Sequence, residues 1–493
     1  MKKIFTCILI AVAFAPLRGK AQKGTLDPSF GTAGIAHADF LGENLNFNQA
    51  GWKTLSAADG KSYLIIDVNG QAVITRRLSD GSLDATYGTN GYSVPADNMR
   101  PVTGAVQNDG KIIVAGTLDG SSIGFKLVRF NPNGSLDVSF GNNGIVQTLF
   151  PYPGSAFTFG TAHSIAVQGD GKILAAGFAS ISSSGSNAFA ITRYNPDGSL
   201  DATFGDNGKV QTPFLYDGTN SSAGISSVLL LPDGKFIATG YADAGGRNFG
   251  FALARYTANG VLDPSFGIGG KVQTPFPYDG VNSMALSRSS ALQSDGKIVM
   301  AGYYDGDALF PPNERGFALA RYNTDGSLDA TFDGDGKVQT AFFFDATQSN
   351  ALAYSVVIQS DGKILAAGMA NVKAYNPAFA VTRYNPDGSL DASFGNNGKV
   401  QTPFSYSADE TYASSYTAAL QSDGKLIAAG SANSGYGSSY ALVRYNLDGS
   451  LDISFDGDGK VVDSLRTGST NLNTTAVQSD GKILSAGSYQ MGI

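Results

Sequence analysis

Eight copies of one phrase, a high glycine content concentrated in repeated turns, and the want of any helix-period segment together predict an all-β chain: a β-propeller of four-stranded blades. The phrase is a Leu-Asp pair, an aromatic three residues after the Asp, then a Gly-rich turn, with a DGK hairpin downstream. It begins at Leu26, Leu83, Leu136, Leu200, Leu262, Leu328, Leu390 and Leu451. From Asp27 to Asp452 the steps are 57, 53, 64, 62, 66, 62 and 61 residues. A period of that size marks a stack of supersecondary units, each unable to bury its apolar faces alone. There are 63 glycines and only three glutamates (Glu43, Glu314, Glu410), and Asp, a turn residue, carries nearly all the acid.

One unit, residues 270–336, shows how each element is read. KVQTPF (271–276) alternates polar and β-branched residues as a first strand, and SSALQ (289–293) follows a variable loop as a second. SDGK (294–297) then reads as a two-residue hairpin turn, its Asp-Gly supplying positive φ angles. KIVMAG (297–302) is a third strand ending in small residues. FALARYN (317–323) is a fourth, with Phe317, Leu319 and Arg321 on one face and Ala318, Ala320 and Tyr322 on the other. TDGSLDATFDGDG (324–336) is the return to the next unit. Radial stacking buries both faces of such units and leaves short edges. The rival, a straight β-solenoid, normally has much shorter coils.

The DGK hairpin occurs eight times, at Asp59, Asp109, Asp170, Asp233, Asp295, Asp361, Asp423 and Asp480. The Arg-aromatic strand occurs seven times, at Arg76, Arg129, Arg193, Arg255, Arg321, Arg383 and Arg444. Residues 34–40 match the KVQT strand and could join the last hairpin (474–488) in a three-stranded blade that ties both chain ends together. Eight blades therefore lead, with seven as the alternative.

Residues 1–21 read as an export signal: Lys2 and Lys3, an apolar run from Ile4 to Leu17, and a small-residue cleavage site at Gly19-Lys20-Ala21 before Gln22. The run is short for a membrane span, which needs about 20 residues, and no other approaches it, so no transmembrane segment is expected. The only cysteine, Cys7, lies inside the signal, too early for lipid attachment. Residues 22–493 form a single cysteine-free propeller, without disulfides or thiolate metal sites. Loss of four cations and no acids with the signal takes the formal charge from −7 to −11. An acidic surface with no Lys/Arg-rich run excludes nucleic acid as a partner.

With the pattern LDxSFGxxG…DGKI…AG…RYNPDGS set out, the chain resembles bacterial delta-60 repeat proteins over about residues 25–488. The resemblance implies an exported or surface-attached β-propeller and brings no established activity, cofactor or catalytic residue. Many such proteins add a C-terminal sorting domain for type IX secretion. None follows Tyr489, which puts surface attachment in doubt or marks the sequence as a truncated copy.

The repeated Asp and Arg, present in almost every unit, read as framework: each Arg is expected to pair with a carboxylate or turn carbonyls of its own blade. FDGDGK at Asp333 and Asp335, and again at Asp456 and Asp458, has an outline of a calcium loop. It lacks the bidentate carboxylate and the six to eight oxygens that calcium requires, and sister units read FGNNGK. The more variable candidates lie in the loops after VQTPF: Tyr152; Tyr216 and Asp217; Tyr278 and Asp279; Phe344 and Asp345; Tyr406 and Asp409. Equivalent loops would form an arc, and Tyr faces beside Asp suit sugars or peptides; the competing reading makes these rings filler between blades. His37 and His163 stand in different units, and no zinc-protease or Gly-x-Ser-x-Gly pattern is present. Trp52, the only tryptophan, reads as a core side chain. No cofactor is implied. A secreted, non-enzymatic binding or adhesion scaffold for glycans or surface proteins leads. The alternatives are a glycan-active hydrolase or lyase with loop carboxylates, or a purely structural extracellular module.

Overall fold

The computed structural model describes residues 5–12, 35–39, 51–56 and 61–491, apart from the stretches 69–70, 79–82, 96–98, 119–122, 153–157, 183–184, 217–218, 221, 244–248, 279–280, 306–314, 345–346, 349, 374–375, 405–411, 434–437, 464–467 and 478–481. Every regular element among these is a β-strand. They form seven four-stranded antiparallel sheets, one five-stranded sheet and two small hairpins. The fold is a β-propeller. Seven four-stranded blades replace the expected eight. The remaining sheet gains a strand because Phe276–Tyr278 folds back on an overlong neighbour, Val281–Leu292, before Ile298–Asp305, Arg315–Tyr322 and Lys337–Thr340. Two compact units are distinguished, one of Met1–Ala96, Asn133–Ser135 and Phe342–Ile493, the other of Asp97–Pro132 and Leu136–Ala341.

A sheet of the second unit shows the plan: Ala223–Leu230, Phe236–Asp243, Phe249–Tyr256 and Lys271–Thr274, each antiparallel to the next. KVQT is thus the fourth strand of the sheet before it, not the first strand of the sheet after. The Leu-Asp phrase lies inside a sheet, between its third and fourth strands. There Asp263 N donates to Arg255 O (2.9 Å) and Arg255 N to Gly270 O (3.0 Å), folding the return tightly on the third strand.

The DGK turn also differs from expectation. Gln293 N donates to Lys297 O (2.8 Å) and Gly296 N to Gln293 O (3.0 Å), and only the glycine is left-handed, at φ 83°. This is a three-residue loop with glycine in the αL position, the next commonest hairpin after the two-residue kind. Asp295 serves through its carboxylate, which accepts from Lys297 N (3.1 Å).

Sheets bury both faces of their middle strands. From Gly250 to Tyr256 every third-strand residue is buried, Arg255 included. One apolar cluster joins Leu174, Phe189 and Ile191 of one sheet to Phe236, Ala238 and Ala252 of the next. The alternating alanines let neighbouring sheets approach where the large rings interdigitate.

In the first unit, one sheet unites both chain ends in the order Ile35–Asp39, Phe5–Val12, Ile483–Met491, Gly468–Val477. The strand at 35–39 does join the last hairpin's sheet. It does so through Phe5–Val12, so the expected three strands become four; an apolar, partly β-branched run is a good strand former.

Candidate functional site

The repeated charges set the frame. In the second unit Asp201 Oδ2 receives Arg193 Nε (2.8 Å) and lies 3.0 Å from Lys172 Nζ, while Oδ1 receives Thr203 N (3.0 Å) and Thr203 Oγ1 (2.7 Å). Asp137, Asp263 and Asp329 repeat this with Arg129, Arg255 and Arg321 and with Lys111, Lys235 and Lys297. In the first unit Asp391 and Asp452 do so with Arg383, Lys363, Arg444 and Lys425. Each Arg also lies over the phrase's aromatic, as Arg193 does over Phe204 at 4.6 Å. Its remaining nitrogen donates to a turn carbonyl of the following repeat: Arg129 to Pro196, Arg193 to Ala258, Arg255 to Thr324, Arg383 to Leu447. The expected carbonyl contact is therefore between repeats, not inside one. Tyr reaches the other way: Tyr256 and Tyr322 donate to Thr212 (2.7 Å) and Thr274 (2.8 Å) of the preceding fourth strands.

Burial raises the Asp137 pKa, but hydrogen bonds from Ser139 and Lys111 and the Arg129 charge outweigh it and hold the group at about 2. Asp452 is likewise held at about 2: burial raises it, but Lys425, Ser454 and Arg444 prevail. These carboxylates are locked in the frame.

The loop aromatics divide. The first ring of each loop is filler: Phe150, Phe214, Phe276, Phe342 and Phe404 are buried. Phe214 packs edge-on against Phe189 of its own third strand at 4.9 Å, as Phe404 does against Phe379 at 5.0 Å. Tyr152 is half-buried. The backbones of Tyr216, Tyr278 and Phe344 form short strands, but their side chains, with Asp217, Asp279, Asp345, Tyr406 and Asp409, lie outside the described residues. In the first unit Phe343 is 62% exposed beside a groove of about 520 Å³ lined also by Asn396, Asn397, Lys399 and Gln401.

The calcium candidates sit in exposed turns. Asp333 and Asp456 adopt φ 53° and 54°, and Asp335 and Asp458 accept from Lys337 N and Lys460 N (2.9 Å each). Among the described residues no group of three or more His, Cys, Asp or Glu could hold a metal ion.

A second set of residues emerges only from the strand register. In each of the eight larger sheets the strand that leads into the DGK hairpin is bulged at one place, and the bulged residue varies, with only Tyr recurring. In the second unit these are Val102, His163, Ser226 and Arg288; in the first they are Trp52, Tyr354, Tyr416 and Asn473. Bulges bend a strand and re-aim a side chain. The glycine of the AG motif, which reads Thr239-Gly240 in one sheet, makes room for them. At Gly177, Gly240 and Gly302 an added Cβ would lie on the carbonyl oxygen of Thr161, Gly224 and Leu286, two residues before the bulge. The divergent first copy inverts the arrangement, with Gly51 on the first strand facing Ile66. Periodicity does not reveal these positions. The repeated glycine at a strand interior is the signal that could have found them.

The second unit's bulges are stitched together. Ser226 Oγ donates to Ser287 O (3.0 Å). His163 packs edge-on against Phe178 at 5.4 Å. Its pKa is lowered by burial; a hydrogen bond with the Ile225 backbone opposes this, and the Arg288 charge adds to it. Arg288 is exposed and holds its guanidinium 5.6 Å from the Tyr303 ring centre. In the first unit Tyr354 and Tyr416 face each other at 5.5 Å.

Six segments, 107–140, 168–204, 231–266, 293–332, 359–394 and 421–455, match the family described as "Domain of unknown function (DUF5122) beta-propeller". The chain is a β-propeller repeat protein. No curated protein matches it. Similar solved structures include a protein from Lactobacillus plantarum (14% identity, 81% of this chain and 97% of that one, TM-score 0.41). Others are an ulvan lyase of polysaccharide lyase family PL25 (11%, 79% and 91%, 0.46) and the Dos1 propeller (10%, 91% and 94%, 0.44). At such identities and scores these likenesses bear on no activity of this chain. Among the described residues no helix is long and apolar enough to cross a membrane.

Proposed function

We propose that this is an exported, non-enzymatic binding or adhesion scaffold of the delta-60 repeat type, taking glycans or surface proteins as ligands. One observation carries the reading: a backbone bulge is repeated in each of the eight larger sheets, while the side chain on it changes from aromatic to cationic to hydroxyl. A framework that keeps a device and varies only its tip is built for recognition. Tyr and Trp provide contact area at small entropy cost, and Ser and Asn provide adaptable hydrogen bonds. The repeat carboxylates are each engaged by Arg and Lys, which favours binding over the alternative, a hydrolase or lyase needing a working carboxylate pair. Export would remove residues 1–21, and with them the strand Phe5–Val12 that links Ile35–Asp39 to Ile483–Met491.

Intact-mass measurement of the secreted protein should place its first residue at Gln22. Glycan arrays and surface-protein pull-downs on that protein should return a ligand. No partner at high micromolar concentration would remove support for the scaffold, and steady release of cleaved glycan would replace it with the hydrolase or lyase.

A further inference from the structure

Resting on the scaffold reading, we propose that Arg288, with His163, Tyr241 and Tyr303 around it, forms a binding site for a carboxylate-bearing sugar, a hexuronate unit of an acidic polysaccharide.

Arg288 differs from the framework arginines of the same unit. Arg129, Arg193, Arg255 and Arg321 are buried and bound to a carboxylate, and Arg315 pairs with buried Asp305 at 2.8 Å. Arg288 is exposed, and among the described residues it has no carboxylate partner. Its place on a bulge directs it away from the sheet ladder. Tyr303, 7% exposed, supports the guanidinium from one side; this leaves the planar fork of donors to an incoming carboxylate, which it matches bidentately. A guanidinium without a carboxylate partner among the described residues, on a chain of formal charge −7, is a local attractor for an anion.

The surroundings suit a sugar better than an acidic peptide. Half-buried Phe178, Tyr241 and His163 present ring surface, on which the apolar face of a pyranose can rest. The segment around the bulge is Ser287-Arg288-Ser289-Ser290, and Ser290 Oγ lies 2.9 Å from Thr239 Oγ1. Ser287 is buried, but half-buried Ser289 and Ser290 can answer the hydroxyls of a saccharide. Among the described residues the groups facing His163 are Arg288, the Ile225 backbone and Phe178, so an anion on Arg288 must relieve the charge that disfavours protonated His163. His163 then reports on occupancy, and with only His37 beside it in the whole chain its resonances are readily assigned.

The test uses the full chain with oligogalacturonate, a neutral maltooligosaccharide and oligoglutamate as probes. Calorimetry measures affinity, and NMR follows the His163 titration midpoint. Oligogalacturonate is expected to bind and to move that midpoint upward. Arg288→Gln should weaken it by roughly tenfold or more, and Arg288→Lys should lie between, because a point charge cannot reproduce the fork. A control, Lys337→Gln, removes a half-buried cation that opens the strand Lys337–Thr340 of the same unit, and should leave binding unchanged. Neutral and acidic sugars bound alike, with Arg288→Gln silent, would overturn the site while leaving the scaffold standing. Oligoglutamate bound as well as oligogalacturonate would also overturn it, in favour of an acidic-peptide site. Failure of all three probes to bind overturns the site, and the arrays and pull-downs then decide the scaffold separately.

Discussion

Asp201 joins two cations and two hydrogen-bond donors on one carboxylate that is 4% exposed. Replacing it with Asn keeps the shape and removes the charge, leaving Arg193 buried without its counter-ion. Asp201→Asn should therefore cost about 3 kcal/mol in denaturant unfolding. Asp233→Asn, at an exposed pair 3.8 Å from Lys235, should cost less than about 1 kcal/mol. Equal effects would mean that the buried triads are not the fold's electrostatic ties. The same groups set the acid limit. Their folded pKa values lie below the unfolded value, so their stabilisation is complete above the unfolded pKa and disappears as pH falls through the folded one. With Asp137 and Asp452 at about 2 and the unfolded value near 3.8, acid unfolding should fall between about pH 4 and about pH 2. Loss of tertiary near-UV circular dichroism above pH 5 would contradict this origin.

Strands are the most legible elements of the chain, because β-branched runs bounded by Asp-Gly and Pro-Asp-Gly turns leave few alternatives. Their partners are less legible. KVQT was readable as a strand, but alternation shows which residues share a face, not which neighbour completes the ladder; only the hydrogen bonds of the Leu-Asp return assign it to the preceding sheet. The Asp-Gly of the hairpin reads as a two-residue turn, since the dipeptide alone does not distinguish that turn from one with a single αL glycine. The bulge was hidden for a different reason: it is a mismatch between two strands, and neither strand records it alone. Gly302 is where it surfaces. Gly302→Ala would set a methyl against the Leu286 carbonyl, so the strand must shift, at about 1–3 kcal/mol. The displaced bulge should weaken acidic-sugar binding, with thermal unfolding and calorimetry read on the same protein. Full stability together with full binding would show that the glycine does not govern the bulge. Trp52, read from sequence as a core residue, has its backbone at the same bulged position in its sheet, and only the register shows it.

The whole molecule carries two populations of arginine with opposite exposure, and salt should separate them. The framework arginines lie with their carboxylates away from water, as with Arg193 and Asp201 at 4% and 5% side-chain exposure, where ions screen poorly. Arg288 stands in solvent, where the screening length falls from about 10 Å at 0.1 M to about 3 Å at 1 M. Net charge acts the same way on stability, since a chain at −7 repels itself and salt relieves that strain. Raising sodium chloride from 0.05 to 1 M should thus leave the unfolding midpoint unchanged or slightly higher, while oligogalacturonate affinity falls several-fold at the same temperature. If stability and binding decline together, the framework pairs are solvent-screened contacts like any surface bridge. If neither moves, the sugar is held by ring contacts and hydrogen bonds alone, and the charge on Arg288 is not what selects it.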